Sequence, residues 1–293
     1  VVFEAAREEA EKLGLIVTGS ELVGMTPLRP MIEAGRFYLR KQGKSSGVPE
    51  RELVETAVRS LGLDQVAEFD PDKKIIEYQV RKPAPLAALP IERFLDEVGS
   101  ESAAPGGGSV SALAGSLGAA LAAMVGNLTV GKKGYEGVFG EMTSLAERAQ
   151  DLKQKLALGV DEDTEAFNRV LEAIRLPKAT PEQRQGREAA LQEAYRLAVC
   201  VPMQTARLSL EAMQLALEMA LKGNRNSASD AGVGGLMARA AVEGGCLNVL
   251  INLASLTDEP FKNAARAEVN RLRNEADRLA GDLQARMKEM LQQ

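Results

Sequence analysis

The apolar residues of the first 82 positions follow two different periods. Three segments repeat them every three or four positions and predict helices: 3–13, "PLRPMIEAGRFYLRK" and "PERELVETAVRSLGL". Two short apolar runs, "LIVTGS" and "KIIEYQV", predict strands instead. Residues 1–82 are therefore expected to form a small α+β fragment.

A proline-rich stretch separates this fragment from the rest of the chain. "RKPAPLAALP" holds three prolines in ten residues, a composition typical of a semi-rigid linker, which we place at 83–90. Residues 91–293 then repeat apolar positions with helical period in every long segment. The sequence therefore predicts a mainly α protein, with a bundle of long helices after the linker.

The first long segment of this bundle, residues 102–130, contains no charged residue. Its length raises the question of a membrane span. Small residues recur every four positions, however, at Ser111, Gly115, Ala119 and Ala123, and such a stripe lets another helix approach closely. We therefore expect a central helix buried on all sides, and no membrane partner.

The segment "VDEDTEAF" carries four acids, and the helical period separates one from the others. The neighbouring apolar residues form one stripe: Leu152, Leu156, Val160, Phe167, Val170, Leu171 and Ile174. Asp163 fills the gap in this stripe between Val160 and Phe167. The other acids are expected on wetter faces: Asp161, Glu162 and Glu165. An acid on an apolar stripe needs a partner or a function, so Asp163 is either a buried ion pair or interhelical hydrogen bond, or a catalytic group.

The glycine-rich stretch "APGGGSVSALAG" precedes the uncharged helix. Gly106, Gly107 and Gly108 would let backbone N–H groups converge on an anion at a helix N-terminus. The spacing fits neither a P-loop nor a dinucleotide fingerprint. The alternative, which the residues alone favour, is a tight turn with Ser109 as the N-cap.

The segment "GNRNSASD" also precedes a helix and supplies Asn226, Ser227 and Asp230. The S-x-x-D spacing favours a structural cap for the last two. Small residues and two asparagines then share one helix face: Gly234, Ala238, Ala241, Gly245, Asn248 and Asn252. Such a seam indicates close packing with polar contacts, useful for specific folding or for a ligand.

Basic side chains follow two of the predicted helices. Lys132 and Lys133 lie with Tyr135 after the uncharged helix, and Lys178 follows the acidic one. Exposed lysines are usually solvated. The alternative is contact with an acidic tail on a ligand.

Composition narrows the chemistry further. The 293 residues include no histidine and two cysteines, and the formal net charge is −5. Without histidine, acid–base catalysis falls to Asp, Glu, Lys or Tyr, and the commonest metal ligand is absent. The charge gives no reason to expect nucleic acid as a partner. Cys200 and Cys246 are expected to be reduced core thiols of a cytoplasmic protein.

Taken in order, these motifs resemble a known family. The blocks "APGGGSVSALAGSLGAALAAMV", "VDEDTEAF", "IRLPKATPE", "GNRNSASD" and "NVLINLASLTDEPF" are similar to the formiminotetrahydrofolate cyclodeaminase family, the helical half of bifunctional formimidoyltransferase-cyclodeaminase. The resemblance covers essentially all of residues 90–293. Two earlier segments, "GSELVGMTPLRPMIEAGRFYL" and "LGLDQVAEFDPDKKIIEYQV", are similar to the end of the transferase half.

The resemblance implies an activity and a set of site residues. The activity is cyclodeamination of 5-formiminotetrahydrofolate to 5,10-methenyltetrahydrofolate and ammonia, in cytoplasmic one-carbon metabolism and histidine degradation. No metal and no cofactor beyond the folate substrate are implied. The family's "VDxDxEAF" block places the catalytic acid at Asp163. Candidate folate contacts, including a polyglutamate tail, are Gly106, Gly107, Gly108, Ser109, Lys132, Lys133, Tyr135, Lys178, Asn226, Ser227 and Asp230.

The resemblance also implies a homodimer or a dimer-based higher oligomer. The transferase half uses a histidine near its beginning, and this sequence has none, so we expect no transferase activity from residues 1–82. Two other functions remain open: a methenyltetrahydrofolate cyclohydrolase, which attacks the same bridging carbon with water, and a non-catalytic oligomeric helical assembly module.

Overall fold

The computed structural model describes residues 2–65, 67–81 and 84–291. The chain divides into two compact units, residues 1–83 and 84–293. Lys82 and Pro83, at the predicted boundary between the leading fragment and the linker, lie outside the described residues, as do both chain ends and Val66.

The first unit contains five described helices: α1 (Val2–Lys12), α2 (Leu28–Lys41), α3 (Glu50–Leu61), α4 (Pro71–Lys74) and α5 (Ile76–Val80). Its small core consists of Met31, Val54, Ala57, Val58 and Ile75. Gly35 permits the contact of α2 with α3, because a Cβ there would lie 2.2 Å from the Leu53 carbonyl oxygen. The three helices predicted for this region are confirmed to within about two residues at each end.

The two predicted strands are absent from the described residues. The run "KIIEYQV" is helical over Ile76–Val80, "LIVTGS" has no regular structure, and a single isolated bridge joins Thr26 to Ile75. A strand needs a neighbouring strand to pair its N–H and C=O groups. Asp70 instead starts helical structure, because its carboxylate accepts from the Asp72 N–H at 3.0 Å. The α+β prediction for this fragment is therefore wrong over the described positions.

The second unit is a bundle of long helices, which confirms the predicted mainly α fold. Its helices are α6 (Ile91–Val98), α7 (Gly107–Thr129), α8 (Phe139–Arg175), α9 (Pro181–Lys222), α10 (Ala228–Leu253) and α11 (Glu259–Leu291). Helix α9 begins with a capping box, in which Thr180 and Gln183 satisfy each other's backbone N–H groups. The main core is formed by side chains of α7 to α11.

Helices α7 and α10 run antiparallel and approach each other through small residues. A Cβ at Gly118 would lie 2.7 Å from the Gly234 carbonyl oxygen, and one at Gly115 would lie 3.3 Å from Ala241 Cβ. Near the start of α7, Gly107 lies beside Asn248 of α10. The predicted small-residue stripe therefore does bring another helix close, because side chains at these positions would separate the backbones.

The prediction that α7 is buried on all sides is wrong. Val110, Leu117 and Leu128 are 40%, 47% and 50% exposed, because α8, α9 and α10 cover only part of the helix. By length and composition alone, Gly107–Thr129 and Arg225–Leu253 could each cross a membrane, and 61% and 39% of their apolar windows are buried inside the structure. One side of the α7–α10 pair thus presents apolar residues outward.

A proline inside α9 explains one asparagine of the α10 seam. Pro202 has no N–H to donate to the carbonyl of Ala198, four residues earlier in the helix. Asn252 Nδ2 donates to that carbonyl oxygen at 2.8 Å. The polar position on α10 therefore replaces a backbone hydrogen bond that α9 lacks.

Candidate active site

Helix α8 places Asp163 against the first turn of α7. A Cβ at Gly108 would lie 2.0 Å from Asp163 Oδ1 and 2.5 Å from Oδ2, so the carboxylate fills the space that a side chain would need. The Ser109 N–H, in the first turn of α7, donates to the same carboxylate. A helix N-terminus favours negative charge. The structure thus brings together Asp163 and the glycine loop Gly106–Ser109.

Ser109 faces Asp163 and is not the N-cap, which is Gly106. The Ser109 hydroxyl lies 2.8 Å from the Val160 carbonyl oxygen, 3.2 Å from Asp163 Oδ2 and 3.2 Å from Thr164 Oγ1. Its single proton can go to only one acceptor at a time. Ser109 can therefore donate to an ionised Asp163, or donate to Val160 while accepting from a protonated Asp163. The N-cap prediction for Ser109 is wrong because the helix begins three residues earlier.

The electrostatics of Asp163 suit proton exchange. Burial raises the pKa of the Asp163 carboxyl above its ordinary value of 3.8, and the hydrogen bonds from the Ser109 hydroxyl and N–H oppose this rise. Among the described residues no lysine or arginine pairs with Asp163. Asp163 therefore forms no ion pair among the described residues. It does form the predicted interhelical hydrogen bond, with Ser109 of α7. A raised pKa makes this carboxyl a better proton acceptor than an exposed aspartate, and the absence of a paired cation among the described residues leaves it able to return the proton.

Asp161 is buried, contrary to the prediction that it faces water, and is 7% exposed. Its two oxygens accept from the N–H groups of Leu86, at 2.8 Å, and Ala87, at 3.0 Å. The apolar residues packed at this contact are Phe94, Ala112 and Val160. The period of α8 could not reveal this second buried face, because the covering segment is distant in the chain. Glu162 and Glu165 are exposed, as predicted.

Asn248 joins the site from α10, a position that the sequence pattern left undecided. Its Nδ2 donates to the Gly244 carbonyl oxygen at 2.8 Å. A Cβ at Gly107 would lie 3.4 Å from Nδ2 and 3.8 Å from Oδ1, so the amide borders the glycine loop. In the described part of the chain Oδ1 has no donor. In the sequence, the signal that could have identified Asn248 as a site residue was its position on the small-residue face of α10.

Several other predicted residues meet around Asn224, which the sequence analysis did not single out. Asn224 is buried, and its Oδ1 accepts from Lys132 Nζ at 2.9 Å and from the Asn226 N–H at 3.0 Å. The Tyr135 hydroxyl accepts from the Arg225 N–H at 3.0 Å. These residues form a second polar cluster, which we call the Asn224 cluster.

The Asn224 cluster lies at the opposite end of α7 from Asp163. The Asn224 N–H donates to Oγ1 of Thr129, the last residue of α7, at 2.8 Å, whereas Asp163 contacts Gly108 in the first turn. The 23 residues of α7 extend over about 34 Å at about 1.5 Å per residue. Within one chain, the predicted folate residues therefore do not form one site.

The remaining predicted residues are exposed or make no capping bond. Ser227 is the N-cap residue of α10, but its side chain accepts no cap hydrogen bond, so the predicted S-x-x-D cap is wrong. Asn224 is instead the N-cap residue of the short 3-10 helix Arg225–Ser227, where its side chain accepts from the Asn226 N–H. Asp230 lies in the first turn of α10, and Lys133 and Lys178 are exposed, the latter between α8 and α9.

Comparison with known protein families matches both parts of the chain. Residues 90–271 match the family described as formiminotransferase-cyclodeaminase, and residues 1–81 match the formiminotransferase domain. The formimidoyltransferase-cyclodeaminase of Mus musculus is 41% identical over 292 residues, which cover 97% of this chain and 54% of the mouse protein. The chain thus spans about half the length of this curated relative.

Two other proteins match about two thirds of this chain. The methenyltetrahydrofolate cyclohydrolase of Methylorubrum extorquens is 41% identical over 189 residues, covering 64% of this chain and 91% of that protein. The crystal structure of formiminotetrahydrofolate cyclodeaminase from Thermotoga maritima superposes with a TM-score of 0.64 at 29% identity, over 70% of this chain and 98% of that one. The fold, the order of the motifs and these matches establish that the chain belongs to the formiminotransferase-cyclodeaminase family.

Proposed function

We propose that the helical unit catalyses cyclodeamination of 5-formiminotetrahydrofolate to 5,10-methenyltetrahydrofolate and ammonia, with Asp163 as the catalytic residue. The observation that carries this proposal is the half-buried Asp163 carboxyl, which has a raised pKa and lies against Gly108 and Ser109. A cationic formimino group would replace the solvation that this carboxylate loses on folding.

The chemistry requires the movement of one proton. The N10 lone pair attacks the carbon of the protonated formimino group and forms the new C–N bond. Asp163 accepts the proton that N10 then carries and returns it to the amino nitrogen of the tetrahedral adduct. The bond from carbon to that nitrogen breaks, ammonia leaves, and the methenyl cation remains. Charge and atoms balance without an oxidant, so we propose no cofactor beyond the folate.

The residues around Asp163 would orient this reaction. The Ser109 hydroxyl can donate to Asp163 when the carboxyl is ionised and accept from it when it is protonated, with Val160 as the second acceptor. Gly106 and Gly107 place no side chain over the first turn of α7, Gly108 accommodates the Asp163 carboxylate, and the Asn248 amide borders Gly107. We propose that these groups contact the folate. We further propose that the reaction belongs to histidine degradation in the cytoplasm.

The test follows both products at once. Purified protein is mixed with 5-formiminotetrahydrofolate, and methenyl-folate absorbance and ammonia are measured together. Asp163→Asn should reduce both by at least about 100-fold, the usual contribution of a general acid–base group. Glu162→Gln, an exposed neighbour on α8, is the matched control and should keep full turnover. Full activity in a folded Asp163→Asn protein would remove Asp163 from the mechanism.

A wild-type protein that folds and binds folate without any turnover would favour the non-catalytic assembly module instead. The same preparation should produce no formimino transfer, because we propose that residues 1–82 lack transferase activity. Turnover in a direct transfer assay would contradict that part of the proposal.

A methenyltetrahydrofolate cyclohydrolase is the second candidate, favoured by the similarity to the Methylorubrum extorquens protein over 189 residues. Water would replace N10 as the nucleophile at the same carbon. Hydrolysis of 5,10-methenyltetrahydrofolate without ammonia release from the formimino substrate would assign the hydrolase. Ammonia release in step with methenyl-folate formation would assign the deaminase.

A further inference from the structure

The Ser109 hydroxyl has a neighbour to which the proposed proton transfer gives no role, the hydroxyl of Thr164. Thr164 lies on α8, one turn after Val160 and next to Asp163. Its Oγ1 is 3.2 Å from Ser109 Oγ, and either oxygen can be the donor. Ser109 is fully buried, whereas Thr164 is half-buried. Two hydroxyl groups therefore connect the Asp163 carboxylate to a partly exposed position on α8.

Thr164 does not make the hydrogen bond that is common for a threonine inside a helix. Such a hydroxyl often donates to the carbonyl oxygen four residues earlier. Thr143 of the same helix does so, with the Phe139 carbonyl oxygen at 2.9 Å. In the part of the chain that the structure describes, the Thr164 side chain hydrogen-bonds only to Ser109. The Thr164 hydroxyl is therefore directed across to α7.

The protons available to these groups determine which of them donates. The Val160 carbonyl only accepts, and a hydroxyl has one proton to donate and two lone pairs that accept. Beside an ionised Asp163, the Ser109 proton goes to the carboxylate, and Ser109 can then accept from Thr164. Beside a protonated Asp163, Ser109 accepts from the carboxyl and donates to the Val160 carbonyl at 2.8 Å. Thr164 can remain the donor to Ser109 in both states.

The hydrogen bond from Thr164 stabilises the ionised state of Asp163 more than the protonated state. A hydroxyl that accepts a hydrogen bond becomes a better donor, so Thr164 strengthens the bond from Ser109 to the carboxylate. In the protonated state Ser109 no longer donates to Asp163, and this gain is lost. Burial raises the pKa of Asp163, and the hydrogen bonds from Ser109 lower it. Thr164 therefore adds to the effect that opposes burial.

Charged side chains do not provide this stabilisation around Asp163. Helix α7 contains no charged residue, and the side chain that borders the glycine loop from α10 is the uncharged Asn248. Helix α8 contributes three acids near Asp163: Asp161, Glu162 and Glu165. Asp161 accepts from backbone N–H groups, and the other two acids are exposed. Over the described positions, only burial and the hydrogen bonds from Ser109 shift the pKa of Asp163.

We propose that Thr164 is a positioning residue of the active site, whose hydroxyl donates to Ser109 and so keeps Asp163 ionised to accept the proton of N10. This inference rests on the proposed cyclodeaminase function. When the proton moves, the bond to N10 breaks and an O–H bond forms on Asp163, while the Ser109 hydroxyl turns from Asp163 to Val160. Return of the proton to the amino nitrogen reverses these changes. Thr164 keeps its own proton throughout.

The pH dependence of kcat tests this role. Turnover needs the ionised carboxylate, so kcat should rise with pH as Asp163 ionises. Thr164→Val removes the hydroxyl, keeps the shape of the side chain and should move this rise to higher pH. At a pH within the rise, kcat should fall about threefold to tenfold below wild type, with KM and the kcat at high pH nearly unchanged. Thr164→Ser keeps a hydroxyl and should restore the wild-type profile to within about twofold.

Thr143→Val is the matched control, because Thr143 is also half-buried on α8 but its hydroxyl donates within the helix. This variant should leave the pH profile unchanged. An unshifted profile in Thr164→Val protein would overturn the proposal, and so would a loss of kcat by the same factor at every pH. Thr164→Ser protein that behaves like Thr164→Val would also overturn it, because the hydroxyl would then have no role.

A measurement without folate separates this inference from the proposed function. Urea unfolding of wild type and Thr164→Val is followed over a series of pH values. Because Thr164 stabilises the ionised Asp163, the free energy of unfolding lost in Thr164→Val should grow as the pH rises through the folded pKa of Asp163. In an Asp163→Asn background the loss should be the same at every pH.

The two results are read separately. Absence of wild-type turnover would reject the proposed function. A loss of unfolding free energy in Thr164→Val that is the same at every pH, with Asp163 present, would instead reject the coupling of Thr164 to Asp163.

Discussion

At the residue scale, the candidate site depends on a close contact between a carboxylate and a glycine. Asp163 occupies the volume that a side chain at position 108 would take, and Ser109 shares its proton between Asp163 and a backbone carbonyl. Each of the two acids near this point has a different task. Asp163 faces the open loop, whereas Asp161 holds the backbone of the segment before α6.

Replacement of Gly108 by alanine should displace Asp163 and abolish turnover. The new Cβ would lie 2.0 Å from Asp163 Oδ1, and the flexible carboxylate would move more readily than the backbone. We expect at least about a 100-fold loss of kcat with a stability change of about 1 kcal/mol. Gly140→Ala, on the exposed start of α8, is the control, because its Cβ would meet no atom within 4 Å. Equal activity of both variants would contradict the contact.

The raised pKa of Asp163 predicts how the free energy of unfolding depends on pH. Because burial raises this pKa in the folded state, the folded protein prefers the protonated carboxyl. The contribution of Asp163 to the free energy of unfolding is therefore fully present below its unfolded pKa and is lost as the pH rises through its folded pKa. Asp163→Asn should be more stable than wild type at neutral pH, and the difference should shrink as the pH falls.

Urea unfolding of wild type, Asp163→Asn and the exposed control Glu162→Gln over a series of pH values measures this difference. A stabilisation by Asp163→Asn that grew as the pH fell would mean that folding lowers the pKa of Asp163, and would refute the desolvation argument.

At the element scale, small residues and one proline decide how the long helices meet. Gly115 and Gly118 let α10 approach α7, and the tightness of this contact leaves the large side chains of both helices on the outside. Pro202 removes one hydrogen bond from α9, and Asn252 of α10 restores it. The polar seam of α10 is thus divided between packing, through Asn252, and the candidate site, through Asn248.

The pairing of Pro202 with Asn252 predicts a coupled effect on stability. Asn252→Leu should cost about 1–3 kcal/mol, because the Ala198 carbonyl would then be buried without a donor. In a Pro202→Ala background, position 202 has its own N–H, and the same substitution should cost less. Urea denaturation of the two single variants and the double variant gives the coupling energy. Strictly additive changes would mean that Asn252 does not compensate for the proline.

At the scale of the whole molecule, the chain consists of two units of different size, each with its own core. The helical unit contains Asp163, the glycine loop and the Asn224 cluster. These features lie at the two ends of α7, about 34 Å apart. The reactivity of the two cysteine thiols, Cys200 and Cys246, measures the folding of this unit independently of its catalytic activity.

The two cysteines should differ in reactivity. Cys246 is fully buried and burial raises its pKa to about 11, whereas Cys200 is exposed, so the prediction of two core thiols is wrong for Cys200. A thiol reagent should modify one cysteine in the native protein and the second only after denaturation. Cys200→Ser should remove the rapid phase. Rapid modification that persists in Cys200→Ser protein would contradict the packing around α10.

Elements whose signal is local could be read from the amino-acid sequence. Helical period predicted the long helices and placed Asp163 on the inner stripe of α8, and ordered motifs indicated the family. These features depend on side chains within one or two turns of each other, so they can be read along the chain. The two strand predictions were wrong because strand formation is not local. An apolar run becomes a strand only where a neighbouring strand forms hydrogen bonds with it.

The contacts between distant residues depend on how the helices pack. The cover over Asp161, the contact of Asn248 with the glycine loop and the partner of Pro202 all join segments distant in the chain. The separation of the Asn224 cluster from Asp163 was likewise invisible, because motif order carries no information on which helix end faces which. Periodicity defines the faces of each helix, whereas the packing of the helices determines what each face touches.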